Sequence, residues 1–156
     1  MDPIDRSLVL ASRRETTRLG ARIAAALRSG DLVVLCGALG AGKTFLARAI
    51  IRAMGVARDN AVPSPTFALV HEYATSRGDV LHADLYRLLG QETLLDEEIG
   101  RLGLRERRAE GAILLAEWAE TSEIALGGTA ELAVSLVIEG ENARRATVRG
   151  TRAAEI

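Results

Sequence analysis

Eight consecutive residues, Gly37-Ala38-Leu39-Gly40-Ala41-Gly42-Lys43-Thr44, match the phosphate-loop pattern GxxxxGK[ST] at every fixed position. The chemistry this spacing supports is the grip of a nucleoside triphosphate. Glycines let backbone N–H groups turn inward on phosphate oxygens, and a helix opening directly after the loop adds its positive end. Lys43 would reach the β- and γ-phosphates, and the Thr44 hydroxyl would sit on Mg²⁺. The expected ATP cradle is therefore Gly37, Leu39, Gly40, Ala41, Gly42, Lys43, Thr44 and the adjoining Phe45. The chain has 20 Lys plus Arg, and Lys43 is its only lysine. A compact ammonium fits inside such a loop where a guanidinium does not.

A phosphate loop also needs a second magnesium anchor, an acid at the end of a neighbouring buried strand. Glu117 follows the apolar run Ala112-Ile113-Leu114-Leu115-Ala116 and stands in that position. A carboxylate that merely opens a loop is the plainer alternative. Asp84 ends another apolar run and could orient or activate the attacking water, bind magnesium through water, or simply cap a helix over residues 85–89. Lys43, Asp84 and Glu117 are thus the candidate catalytic residues, with Thr44 and Glu117 as the metal pair. In Ser64-Pro65-Thr66-Phe67, proline fixes a turn that presents two hydroxyls, Ser64 and Thr66, ahead of a strand. Such a loop can sense a γ-phosphate as a switch does, although spacing alone favours an ordinary proline turn. His71 and His82 read as strand residues. Trp118 fits either the core or a stacking role.

These groups need elements to hold them. Asp31 to Cys36 is a short apolar, β-branched run that reads as a buried strand, and residues 44–54 read as a helix stopped by Gly55. Upstream, residues 7–11 suggest an edge strand, and Ser12 with Glu15 forms a capping box for a helix reaching about Arg28. Residues 67–73 and 80–84 predict a hairpin, residues 91–99 a short acidic helix, and residues 100–111 an arginine-rich loop or broken helix. Two alternating strands over 131–138 and 143–148 follow, with a tail after about residue 150 expected to fray. The pattern predicts one α/β domain over residues 1–156: a P-loop NTPase in three layers, with a mixed, mostly parallel sheet carrying β-hairpins.

Composition narrows the class further. Hydrophobic residues make up 48% of the 156, enough for a sizeable core. The formal net charge of −1 excludes a global basic field but leaves a local patch open. A lone Cys36 excludes an internal disulfide and, with only His71 and His82 beside it, offers no zinc spacing. The acidic start Met1-Asp2-Pro3-Ile4-Asp5-Arg6 lacks the apolar segment of a signal peptide, and no run approaches a membrane span. A cytoplasmic location is the expectation.

The order of motifs resembles one family. Gly-x-Leu-Gly-Ala-Gly-Lys-Thr at 37–44, Ser-Pro-Thr-Phe at 64–67, His-x-Asp-Leu-Tyr-Arg at 82–87 and Glu-Trp at 117–118 are similar to TsaE (YjeE), the bacterial ATPase of tRNA threonylcarbamoyladenosine synthesis. The likeness spans about residues 7–150 and extends to Thr16-x-x-x-Gly20. It implies a seven-stranded mixed sheet, ATP and Mg²⁺ as ligands, and weak, partner-dependent hydrolysis. It also implies a TsaB–TsaD-like complex as partner, with tRNA reached only through that complex. Thr16 would approach the adenine and Arg145 the nucleotide. Two positions depart from the family pattern, Ala38 where Asp is common and Ala119 where Pro is common. Neither removes a phosphate or metal group.

Two other readings fit the loop. Arg101 to Arg108 could be the arginine-bearing lid of a small P-loop kinase, or a solvated charged helix face. A nucleotide-dependent interaction module with negligible hydrolysis would use the same cradle. A GTPase is the poorer reading, because a guanine-reading Asn-Lys-x-Asp motif needs a second lysine.

Overall fold

The alternation of apolar side chains builds a single sheet clad on both faces in the computed structural model, which describes residues 5–156. The first four residues of the acidic start lie outside that range. In chain order the elements are β1 (Arg6–Leu10), α1 (Arg13–Ala26), β2 (Leu32–Cys36), α2 (Lys43–Ala53), β3 (Val70–Thr75), β4 (Gly78–Asp84), α3 (Glu92–Leu102), α4 (Leu104–Ala109), β5 (Ile113–Glu117), β6 (Leu132–Ile138) and β7 (Arg144–Arg149). Short 3₁₀ turns cover Tyr86–Leu88 and Ala153–Glu155.

The sheet order is β1-β7-β6-β2-β5-β4-β3. Strands β6, β2, β5 and β4 run parallel, and β7, β1 and β3 add antiparallel edges. The sheet is mixed, as the hairpin-rich sequence predicts, with its parallel part at the centre. Side chains of β2 alternate between two cores. Val33 and Leu35 meet Ile23 of α1 and Leu46 and Ile50 of α2, whereas Leu32 and Val34 meet Ile99 of α3 and Leu104 of α4. Burial on both faces explains why β2 and β5 read as unbroken apolar runs. Helices α1 and α2 pack closely, because a Cβ on Gly20 would lie 2.6 Å from the Ala49 Cβ.

One boundary differs from the sequence expectation, and the arginine-rich stretch takes the broken-helix form of its two readings. The strand expected from Phe67 begins at Val70, since Leu69 takes a left-handed φ of 67° and Phe67 points into solvent. The arginine-rich stretch is a helix broken at Gly103, whose φ of 64° ends α3 and opens α4.

The tail expected to fray is docked instead. Ala153 and Ile156 belong to the α1–α2 core, and Arg152 donates to both carboxylate oxygens of the buried Asp31, at 2.8 and 3.0 Å. A polar-looking terminus hides a buried ion pair and one apolar anchor. Deleting residues 152–156 is expected to lower unfolding free energy by at least about 3 kcal/mol, since it strands a buried carboxylate and empties the Ile156 site. Urea denaturation followed by circular dichroism checks this.

Candidate functional site

The parallel register brings three functional groups to one edge of the sheet. Strand β2 delivers the glycine loop, its neighbour β5 ends on Glu117, and β4 beyond it ends on Asp84, the register partner of Glu117. Gly37 and Gly42 adopt φ values of 143° and 107°, conformations that a side chain would strain. At Gly37 there is also no room, because a Cβ would lie 2.6 Å from the Leu136 carbonyl oxygen. The loop is held from outside by Arg144, whose Nε donates to the Ala41 carbonyl at 2.8 Å.

Lys43 is 5% exposed, and its ammonium donates to the Gly37 and Ala38 carbonyls at 2.6 and 3.0 Å. It lies 4.0 Å from the centre of the Trp118 ring, which in turn stands 5.0 Å from the Tyr86 ring. Trp118 is thus a platform for the ammonium, held by a backbone φ of 59°. Burial pushes the Lys43 ammonium below the ordinary lysine range, while Glu117, Glu120 and Asp84 pull it back up.

Next to it, the Thr44 hydroxyl donates to Glu117, 2.8 Å from Oε1 and 3.1 Å from Oε2. His82 Nε2 meets Glu117 Oε2 at 2.6 Å, and its Nδ1 is buried without a partner. Nε2 therefore carries the proton, because the carboxylate can only accept. Asp84 accepts from the Thr66 hydroxyl at 3.0 Å through Oδ2 and from the Tyr86 backbone N–H at 2.9 Å through Oδ1. Ser64 and Thr66 share a 2.8 Å hydrogen bond. One cleft of about 300 Å³ is lined by Leu39, Lys43, Thr44, Thr66, Asp84 and Glu117.

A second cleft of about 390 Å³ opens on the other side of the loop, between Thr16, Gly40, Phe45, Glu141 and Arg144. Thr16, buried on α1, lines it. Arg145 does not: it points away and pairs with Glu139, and its neighbour Arg144 takes the place on the loop. Strand alternation decides this, since Ala146 and Val148 face α1–α2 and Arg144 shares their side. His82 is the other residue whose part the sequence hides, because it reads as a strand filler. Its position two residues before Asp84 on a strand places it on the same face, and that is the available signal.

Burial pushes the Cys36 thiol up to about 12, which keeps it protonated as a small packing residue. Three of the four arginines of 101–108 are engaged elsewhere, Arg101 with Glu98. Arg107 pairs with Glu72 and Asp79, and Arg108 bonds the Gly30 and Leu126 carbonyls and Glu131, all away from the loop edge. None of the helices among the described residues is long and apolar enough to cross a membrane.

The model of the family described as threonylcarbamoyl adenosine biosynthesis protein TsaE matches residues 10–147. The chain belongs to the TsaE family. Relatives named tRNA threonylcarbamoyladenosine biosynthesis protein TsaE include one from Aquifex aeolicus, 42% identical over 53% of this chain and 62% of that protein. Another, from Rickettsia bellii, is 38% identical over 77% of this chain and 78% of that protein. The chain spans about 62% of the length of the Aquifex and Rickettsia felis TsaE proteins. Among solved structures, YdiB from Bacillus subtilus superposes with a TM-score of 0.71 at 25% identity, covering 96% of this chain and 88% of that one. The TsaE fold is therefore a P-loop NTPase-like α/β architecture over nearly the whole chain.

His82 invites a test within this site. A leucine there would leave Glu117 one donor short in a dry environment, whereas glutamine can still donate from its Nε2. His82→Leu is expected to weaken the Mg²⁺ dependence of nucleotide binding about tenfold, and His82→Gln to restore most of it. Magnesium titrations by calorimetry at fixed nucleotide separate the two.

Proposed function

We propose that this chain binds Mg-ATP at the glycine loop and hydrolyses it slowly, in the service of a TsaB–TsaD-like complex in the cytoplasm. In that reading the complex modifies adenosine in tRNAs that read codons beginning with A, and ATP turnover here resets the complex. The observation that carries the reading is the convergence of Lys43, Thr44, Glu117 and Asp84 on one cleft at the strand ends.

The residues suit the ligands. Lys43 has two carbonyls and an aromatic face as partners and, among the described residues, no carboxylate within ion-pair distance, so its charge is available to a phosphate. Thr44 and Glu117 present a hydroxyl and a carboxylate side by side. Among the described residues no cluster of three or more His, Cys, Asp or Glu could hold a metal. That suits Mg²⁺, which takes one or two protein oxygens and fills its shell with phosphate and water. Bound there, Mg²⁺ would neutralise charge on the β- and γ-phosphate oxygens. His82 fixes the Glu117 carboxylate. Asp84 holds the Thr66 hydroxyl and is placed to orient a water molecule.

The test is phosphate release from Mg-ATP by the pure chain, alone and with a TsaB–TsaD pair and tRNA. Slow release that rises at least tenfold with the pair is the expected result. Equal rates with and without the pair would defeat the partnership, and no release under either condition would leave a nucleotide-dependent interaction module.

A further inference from the structure

The net charge of −1 conceals a strong segregation. Residues 13–58 hold nine of the 20 cationic side chains and two of the 21 acids. These residues build α1, β2, α2 and the turn after it, and both helices lie on the same face of the sheet. Arg14, Arg18 and Arg22 recur every four residues on α1 and are exposed, a ladder with steps of about 6 Å. Arg48, Arg52 and Arg58 line a groove against Thr17 and Ala21 of α1. Among the described residues, none of these six arginines is in an ion pair, whereas Arg28, Arg101, Arg107, Arg108, Arg145, Arg149 and Arg152 all are. On the opposite face, α3 carries Glu92, Asp96, Glu97 and Glu98.

We propose that the α1–α2 face is a docking surface for the phosphodiester backbone of RNA. Regularly spaced guanidiniums without ion-pair partners match a regularly spaced polyanion, and arginine is suited to phosphate by its planar fork of donors. The choice among anionic partners follows from what the face lacks. The remaining exposed residues of α1 and α2 are Arg13, Thr17, Ala21, Ala25 and Ala53, and the one aromatic ring on either helix, Phe45, is half-buried in the groove and makes no broad apolar patch. A protein interface needs an apolar or aromatic centre, and a membrane-lying helix needs a buried apolar face. A phosphate backbone needs neither. Preference for RNA over other nucleic acid rests on the tRNA-modification reading; the electrostatic argument does not depend on nucleotide hydrolysis.

The experiment measures binding of the full chain to a fluorescent tRNA transcript by anisotropy, without ATP, from 50 to 300 mM salt. Arg14→Gln/Arg18→Gln/Arg22→Gln is compared with Arg101→Gln/Arg145→Gln/Arg149→Gln, which removes the same charge from ion-paired arginines elsewhere. Wild type is expected to bind with a steep salt dependence. The α1 triple variant should bind at least tenfold more weakly, with a log–log salt slope shallower by about one for each phosphate no longer neutralised. The control triple should stay within about twofold. No tRNA binding at 50 mM salt, or an equal loss in both variants, overturns the proposal. So does binding to anionic phospholipid vesicles in place of tRNA. Calorimetric ATP binding by the same preparations keeps the outcomes separate, because it can fail or hold independently of the RNA result.

Discussion

Replacing Asp84 with asparagine should cut partner-stimulated phosphate release by about a hundredfold or more while leaving ATP affinity within about threefold of wild type. The carboxylate has two jobs that asparagine separates. One oxygen caps the Tyr86–Leu88 turn by accepting from the Tyr86 N–H, and an amide oxygen accepts that bond equally well. The other takes the Thr66 hydroxyl at the mouth of the cleft, beside Glu117 on the next strand. There an amide can neither accept a proton nor hold water with a full charge, and loss of such a group costs about 10²–10⁴ in rate. Single-turnover phosphate release with the TsaB–TsaD pair, together with calorimetry, measures both halves. Lost ATP binding in Asp84→Asn would make the residue a structural cap and end its catalytic assignment.

Asp84 also shows how far a sequence carries this site. Its strand-end placement makes both roles legible, and the structure shows the bond that caps the following turn and sets the second oxygen in the cleft. The loop, Glu117 and the hairpin 70–84 are readable because each is local: a motif, an apolar run with an acid at its end, a turn between two short strands. What escapes depends on contacts between distant segments. The family likeness points to Arg145 where the structure sets Arg144 against the loop, because a one-residue shift on a strand exchanges faces. Only the pairing of β7 with β6 and β1 fixes which face meets the loop. The tail looks dispensable because Asp31, its ion partner, is 121 residues away. His82 looks inert because nothing in β4 announces that Glu117 of β5 lies within hydrogen-bond reach. The charge segregation is countable in the sequence, but only the packing of α1 and α2 on one face turns it into a surface.

Lys43→Met carries the other large effect. The thioether keeps the aliphatic stem against Trp118 and removes only the charge, so packing survives and phosphate attraction does not. Loss of ATP affinity of at least a hundredfold is expected, about 2.7 kcal/mol. Stability should move the other way, or not at all. An ammonium whose pKa is lowered by burial binds its proton less tightly folded than unfolded, so below the folded value the charge opposes folding. That cost fades as pH rises through the ordinary lysine value. Against it stand the bonds to the Gly37 and Ala38 carbonyls and the face of Trp118, so the net change at pH 7 is small. Thermal unfolding midpoints within about 3 °C of wild type, alongside abolished calorimetric binding, are the expected pair. A collapse of the midpoint with the affinity would mean that Lys43 holds the loop together, and that phosphate contacts are not what its burial serves.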